Sequence, residues 1–516
     1  MLQAVVGNYR RKIKTVDELC DAIGARPRAK KVIMCHGVFD LVHPGHIRHL
    51  LYAKEKADIL VASLTADAHI TKAQYRPFVP QELRALNLAA LEMVDFVVID
   101  PNPTPITNIA RLQPDYFAKG YEYGNGGVNP KTQEELEVIQ SYGGELLFTP
   151  GDIVYSSSHL IENDPPNIAL EKFLLLMEAD GLDFDRLRRI VETCEGKRVH
   201  VVGDTIVDSL TYTTMIGGMN KTPTPSVRFD NRMDFVGGAG IVAKHLKSAG
   251  AEVTLSTVLG DDSLAEFALK DLEAAGVNIM PIIDRARPTT NKNAYVCGDY
   301  RLLKVDTLDN RSITDKQADM IAGQIANVHA EAIVFSDFRH GIFNRRTIPG
   351  LTSVIPQGAF RVADSQVASR WGNILEFKGL DLLTPNEREA RFALADQDTG
   401  VRPLAAKLHE EADCKTVILK LGDRGVLTCR RGKENDPRSF FVVDSFANKV
   451  VDAVGAGDAL LAYATLSLLA DESEVAASVL GSMAAALECE CDGNIPIGRS
   501  DLLGRIDMVE KQARFE

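Results

Sequence analysis

The strand pattern KKVIMCHGVFD (residues 30–40) passes directly into a helix pattern, HPGHIRHLLYAKEKA, and then into a second strand, DILVASLTAD. The alternation continues through the helical PQELRALNLAALEMV to the strand DFVVID. Apolar strands separated by helices pair in parallel, because each helix supplies the crossover that a parallel pair needs. The expected product is a doubly wound α/β sheet. The pattern breaks at ENDPPN (162–167), crosses the helical stretches IALEKFLLLMEADG and FDRLRRIVETCEG, and restarts at the strand RVHVVGD (198–204). A chain of 516 residues is too long for one ordinary core. The sequence therefore predicts two α/β domains, 1–162 and 193–516, joined by a helical linker over 163–192. It contains no short-period repeat and no low-complexity segment.

In each block one strand-to-helix turn carries candidate chemistry. A helix N-terminus presents unpaired N–H groups and the positive end of its dipole, a setting that suits phosphate. His43 and His46 lie in such a turn, separated by Pro44 and Gly45. Two imidazoles there are placed to donate hydrogen bonds to a pentacoordinate α-phosphate as charge builds on its oxygens. In the second block, VVDAVGAGDALLAYATLSLL puts Gly455, Ala456 and Gly457 at the opening of an Ala/Leu helix. Three small residues expose their amides to a developing anion. Asp458 follows at once, positioned to take a proton from a substrate hydroxyl while those amides stabilise a transferring phosphoryl group.

Charge narrows the function classes. Lys and Arg total 58 against 71 Asp and Glu, a formal charge of −13, so nucleic acid is not an expected partner. Eight cysteines are too sparse for a disulfide framework, and the lone Cys489-x-Cys491 lacks the second pair a structural zinc site requires. No stretch approaches the roughly 20 apolar residues of a membrane span. The opening MLQAVVGNYRRKIKTVDELC has no apolar signal region, so a cytoplasmic protein without membrane contact is expected.

The first block resembles the cytidylyltransferase-like nucleotidyltransferase superfamily, whose signature is H-x-G-H. The resemblance implies a Rossmann-like domain in which Gly37, Phe39 and Asp40 of G-x-F-D contact nucleotide. It adds Thr65 and Asp67 of SLTAD, Arg76 and Arg84 of the R-P-x-x-P-x-x-x-R segment, and Lys119 and Tyr123 of PDYFAKGYEY. It further adds Ser156, Ser157 and Ser158, a helix start over the nucleotide phosphates for which a plain helix cap is the alternative. His36 stands where the family has Asn or Tyr, and Glu162 where it often has a cation.

The second block resembles the ribokinase-like (PfkB) sugar kinases over roughly residues 196–512. That resemblance implies Asp458 as base and 455–457 as anion hole. Asn386 and Glu389 would organise Mg²⁺, with Asn386, Lys420, Gly422 and Gly425 on ATP and Asp208, Gly237, Gly238 and Asp458 on the sugar. Asp337 and Gly341 of VFSDFRHGIF resemble the heptose kinase motif S-D-Y-x-K-G, while Lys221 stands where an acid is expected.

Together the blocks resemble the bifunctional heptose-7-phosphate kinase/heptose-1-phosphate nucleotidyltransferase family, with the domain order reversed. This implies MgATP-dependent phosphorylation of a sugar at its anomeric hydroxyl. It also implies NMP transfer from ATP, CTP or GTP to the sugar 1-phosphate with release of pyrophosphate, in a homodimer formed through the kinase domain. In that family's pathway a separate phosphatase acts between the steps, and no phosphatase signature is present. Two other readings stay open: a phospho-alcohol or phosphonate cytidylyltransferase fused to a kinase, and a nucleotide-sensing regulator.

Overall fold

The computed structural model describes residues 9–70, 77–120, 130–149, 169–217, 225–366, 373–431, 439–491 and 493–514. It divides into two compact units, the first holding residues 1–175 together with 399–402 and 432–440, and the second holding the rest of 176–516. The break at 162–167 and the sites at Arg76, Tyr123, Ser156–Ser158, Glu162 and Lys221 lie outside the described residues.

The first unit is a five-stranded sheet of order β3-β2-β1-β4-β5. Its strands are β1 (Val32–Gly37), β2 (Ile59–Thr65), β3 (Phe96–Asp100), β4 (Tyr116–Gly120) and β5 (Glu145–Thr149). All pairings are parallel. Alternation along β1 explains the two layers. Ile33 and Cys35 join one buried cluster with Leu50 of α2 (Pro44–Glu55) and Leu88 of α3 (Gln81–Ala89). Val32 and Met34 join the other with Leu19 of α1 (Val16–Ile23), Ile109 of α4 (Ile106–Leu112) and Ile139 of α5 (Pro130–Ser141). The chain winds outward from β1 through β2 to β3, then returns to start β4 on the other side. The carboxyl ends of β1 and β4 thus flank a topological switch point, where open α/β sheets bind ligands.

The second unit holds a nine-stranded sheet of order β10-β9-β6-β13-β14-β15-β16-β17-β18, in which β10 (Asn278–Ile283), β15 (Leu382–Leu383), β17 (Val426–Arg430) and β18 (Phe440–Val443) lie outside the central strands. Central to it are β6 (Arg198–Gly203), β9 (Glu252–Leu259), β13 (Ala332–Asp337), β14 (Phe360–Ser365) and β16 (Thr416–Lys420). A separate four-stranded sheet, β12-β11-β7-β8, is built from β7 (Thr205–Gly217), β8 (Ser226–Gly238), β11 (Asn291–Cys297) and β12 (Tyr300–Thr307). The stretch expected as linker is partly packed. Helix α7 (Phe184–Thr193) follows α6 (Ala169–Ala179) and buries Leu187, Ile190 and Val191. Its Arg186 pairs with Asp471 at 2.8 Å, and its Arg188 with Asp507 at 2.7 Å.

Candidate active sites

In the first unit the H-x-G-H turn sits at the switch point. His43 is the N-cap of α2, and its Nδ1 accepts the Gly45 N–H at 3.1 Å. A neutral ring accepting at Nδ1 carries its proton on Nε2, which makes Nε2 the donor. His46 stacks near it, ring centroids 4.0 Å apart. Burial, then the neighbouring His43 and His49, push the His46 pKa down to about 4, so it is a neutral donor at physiological pH. Gly37 ends β1 and leads into Phe39, which holds a left-handed backbone (φ 49°) and lies 5.2 Å from the His46 ring.

The structure gives several resemblance-derived residues bracing roles. The buried Asp40 carboxylate accepts the N–H groups of Phe78 and Val79 at 3.0 and 2.8 Å. Arg84 is completely buried: Nε donates to the Val79 carbonyl at 2.9 Å, Nη2 to the Thr65 carbonyl at 3.0 Å, and further bonds go to the Val38 carbonyl and Asp67. Such a guanidinium reaches a phosphate only by giving up those bonds. Lys119, at the carboxyl end of β4, donates to Thr132 at 3.1 Å and pairs with Glu135. His36 bridges Ser63 at 2.9 Å and Thr65 at 3.1 Å, so the departure from Asn or Tyr tethers the end of β2.

In the second unit, helix α10 (Ala456–Ala470) begins at Gly455, whose φ of 88° is left-handed. A Cβ there would lie 2.7 Å from Glu488 Oε1 and 3.0 Å from Asn494 Oδ1, so this turn admits only glycine. Asp458 is buried in the first turn of α10. Burial and then the Asp364 carboxylate push its pKa up to about 8, against the opposing pull of Lys420. A cleft of about 630 Å³ opens before it, lined by Asp208, Asn386, Glu389, Lys420, Gly422, Gly425 and 455–457 among others. Most of the expected kinase residues are thus brought to one cavity.

Gly237 does not line that cavity but makes room beside it, since a Cβ would collide with the Asp208 carboxylate. The same carboxylate accepts from Asn494 Nδ2 at 2.9 Å. Gly238 lines the cleft as the N-cap of α8 (Ala239–Ser248). Asp337 is buried at the end of β13, held by Ser365 at 2.7 Å and Arg339 at 2.8 Å, and Gly341 packs under Arg287.

Asn386 and Glu389 form a capping box on α9 (Glu387–Leu394), each side chain receiving the other's N–H at 2.7 and 2.9 Å. Burial raises the Glu389 pKa to about 7, with Lys420 opposing and Asp364 adding to the rise. Among the described residues no group of three or more His, Cys, Asp or Glu could hold a metal by itself. One crowded carboxylate beside an open cleft nevertheless fits the Mg²⁺ that the resemblance implies, since that ion takes one or two protein oxygens and completes its shell with phosphates and water.

Sequence reasoning passed over Lys292, Lys304, Asp364 and Asn494. Asp364 ends β14 and accepts from Lys420 Nζ at 3.0 and 3.2 Å, which fixes the lysine beneath the glycine turn. None of these sits in a motif; strand pairing brings Lys292, Lys304 and Asp364 to the site, and Asn494 reaches it from a loop far along the chain.

Comparison with known proteins agrees with both blocks. The cytidylyltransferase-like family model matches residues 34–163, and the pfkB family carbohydrate kinase model matches residues 197–498. The protein named bifunctional protein HldE of Desulfatibacillum aliphaticivorans is 26% identical over 316 residues, covering 60% of this chain and 63% of its own length. The one of Geobacter metallireducens is 40% identical over 138 residues, covering 26% of this chain and 27% of its own. The chain therefore spans less than two thirds of the length of these relatives. Among solved structures, phosphofructokinase-2 from Escherichia coli in complex with substrates and products matches with TM-score 0.52 at 17% identity, over 61% of this chain and 99% of that one. That likeness is one of fold. With a family model spanning more than half its length and a glycine-opened helix that places Asp458 in the cleft, this chain belongs to the pfkB family of carbohydrate kinases, with a cytidylyltransferase-like domain ahead of the kinase domain.

Proposed function

We propose that the chain makes a nucleotide-activated sugar by two reactions, one in each unit. The kinase unit phosphorylates a sugar at its anomeric hydroxyl with ATP, heptose 7-phosphate being the substrate the resemblance implies. The observation that carries this reading is Asp458, seated behind the glycine turn and facing the same cleft as Asp208. Asp458 takes the hydroxyl proton as the oxygen attacks the γ-phosphorus, and the amides at 455–457 receive the charge that develops. Asp208, oriented by Asn494, holds the sugar. Lys420, tied to Asp364, keeps a cation under the turn. Asn386 and Glu389 would hold Mg²⁺, which when bound shields the phosphate charge.

In the transferase unit the sugar 1-phosphate oxygen attacks the α-phosphorus of an NTP and pyrophosphate leaves. His43 and His46 donate to the α-phosphate, so positioning and charge stabilisation do the work without a covalent enzyme intermediate. The cytoplasm, where nucleoside triphosphates are abundant, is the compartment that fits. No helix among the described residues is long and apolar enough to cross a membrane. Met215, Ile216 and Phe229 of the four-stranded sheet are 47%, 63% and 63% exposed, a surface that supports a homodimer through the kinase unit.

Incubation with MgATP and a panel of sugars and sugar phosphates, then with each NTP, tests the reading. ADP formation and pyrophosphate release dependent on a heptose phosphate are expected. Pyrophosphate release that depends only on a phospho-alcohol or phosphonate overturns the sugar assignment.

A further inference from the structure

Beneath the glycine turn lies an acid that the phosphoryl-transfer chemistry leaves unused. Glu488, near the end of the helix Glu474–Cys489, is buried. The charged groups acting on it are acids, Asp458 on α10 and Asp452 ahead of the turn, and among the described residues no Lys or Arg forms an ion pair with it. An ionised carboxylate there would be buried among like charges without a counterion, and taking up a proton removes that cost. Burial first, then the two aspartates, push its pKa up to about 8 against the pull of the Ile495 N–H, so the acid is neutral at physiological pH. A neutral carboxyl accepts at one oxygen and donates from the other, so beside the Ile495 donor it needs an acceptor.

The acceptor is close by. Asn494 Nδ2 donates to Asp208 Oδ2 at 2.9 Å, and a carboxylate takes only the N–H side of an amide, which turns Asn494 Oδ1 the other way. That oxygen is buried and has no hydrogen-bond partner among the described residues. A Cβ on Gly455 would lie 2.7 Å from Glu488 Oε1 and 3.0 Å from Asn494 Oδ1, so the two oxygens converge on one point beneath the turn. One lacks an acceptor and the other lacks a donor. Residue 455 has no side chain to come between them.

We propose that Glu488 is a positioning residue for the kinase reaction: as a neutral acid it donates its Oε1–H to Asn494 Oδ1, directly or across one water, and so fixes the amide that orients Asp208 toward the sugar. The proposal rests on the kinase reading above. The relay runs from Glu488 to Asn494 to Asp208, each donor facing an acceptor, and leaves the second Asp208 oxygen for a sugar hydroxyl. Glu488 itself touches no substrate, so its loss should appear in sugar binding and leave the chemical step alone.

The full chain is assayed with MgATP and heptose 7-phosphate, following ADP. Glu488→Gln puts an N–H donor where the O–H stood, so both kcat and the sugar KM should stay within about twofold of wild type. Glu488→Leu fills a similar volume without a donor. Its sugar KM should rise roughly 3- to 10-fold, the worth of one lost hydrogen bond, with kcat nearly unchanged. A residue that only fills space would instead tolerate Leu as well as Gln. Asn494→Ala should raise the sugar KM at least as far, and combining it with Glu488→Leu should add little, because both cut the same relay. Equal KM values in the Gln and Leu variants, or additive effects in the double variant, overturn the proposal. A crystal structure of the wild type at mildly acidic pH reads the contact without any turnover. Glu488 Oε1 and Asn494 Oδ1 joined directly or by one water are expected. A cation seated between them, or an Asn494 amide with Oδ1 facing Asp208, overturns the proposal. If the contact is present while no sugar or sugar phosphate is phosphorylated, the relay stands and the kinase reading falls; ADP formation that all the variants share alike does the reverse.

Discussion

Asp458 carries a conflict between function and stability. Its carboxyl is pushed from 3.8 to about 8 by burial and by Asp364, so the free enzyme holds it largely protonated at pH 7. A base must be ionised, so kcat/KM for the kinase should climb with pH through about 8. The sign for stability is opposite. An acid whose folded pKa exceeds its unfolded value costs nothing below pH 3.8, and costs progressively more as the pH rises toward 8. Asp458→Asn should therefore lose at least roughly 10²-fold in phosphorylation yet gain in melting temperature over the wild type as pH rises from 5 to 9, with ATP binding retained. Loss of ATP binding in a folded variant would instead make the acid structural. In the other unit, His43→Ala with His46→Ala should abolish pyrophosphate release by several orders of magnitude, since each donor is worth roughly 10²–10³. The kinase rate serves as control. The placement of His43, His46 and Asp458 at the start of a helix was legible in the sequence because each sits in a short run that sets its local fold. The bonds that brace Arg84 and Asp40 were not, because only tertiary packing reveals that backbone groups occupy their polar atoms. Lys292 and Asp364 had no local signal at all.

At the scale of elements, the head of α10 depends on what lies beneath it. Glu488, near the end of α11 (Glu474–Cys489), is buried beneath the glycine turn. Burial chiefly, then Asp458 and Asp452, raise its pKa to about 8, against a backbone bond from Ile495. It fills the space a Cβ at residue 455 would need. Gly455→Ala is thus penalised twice, by its positive φ and by collision with Glu488. It should lower kinase kcat by roughly 10²-fold, the loss expected when one anion-hole donor is misplaced, while transferase activity is unchanged. Adding Glu488→Ala should restore part of that loss by relieving the collision but not the backbone strain. A double variant no better than Gly455→Ala would assign the whole effect to φ. The strands and helices around these points were readable from periodicity, since apolar runs such as VHVV in β6 are buried on both faces. The capping box at Asn386 and Glu389 shows where motif reading stops: the same spacing that suits a metal is also a way to start a helix.

At the scale of the whole molecule, the alternation of strand and helix on each side of a break announced two sheets. It did not announce the four-stranded sheet, whose β12 is exposed along its length and carries no buried face to betray it. Each unit has its own sheet and its own glycine- or histidine-marked helix start, so each should be able to act alone. We propose a boundary between residues 165 and 180 and expect fragments 1–165 and 180–516 to fold separately, each being large enough for a core of its own. The second fragment is drawn to keep α7, because Leu187, Ile190 and Val191 are buried and Arg186 and Arg188 bond to Asp471 and to Asp507 and Glu510. Starting it instead at residue 196 removes those groups and exposes the apolar surface they cover. The longer fragment should therefore be soluble with kinase activity near that of the full chain, and the shorter should melt earlier or aggregate. Expressing all three and measuring solubility, melting temperature, molecular mass and both reactions decides the matter. Pyrophosphate release from fragment 1–165 with phosphorylation by 180–516 supports independent modules. If neither folds while the full chain does, the two sites share a core and the modular reading fails.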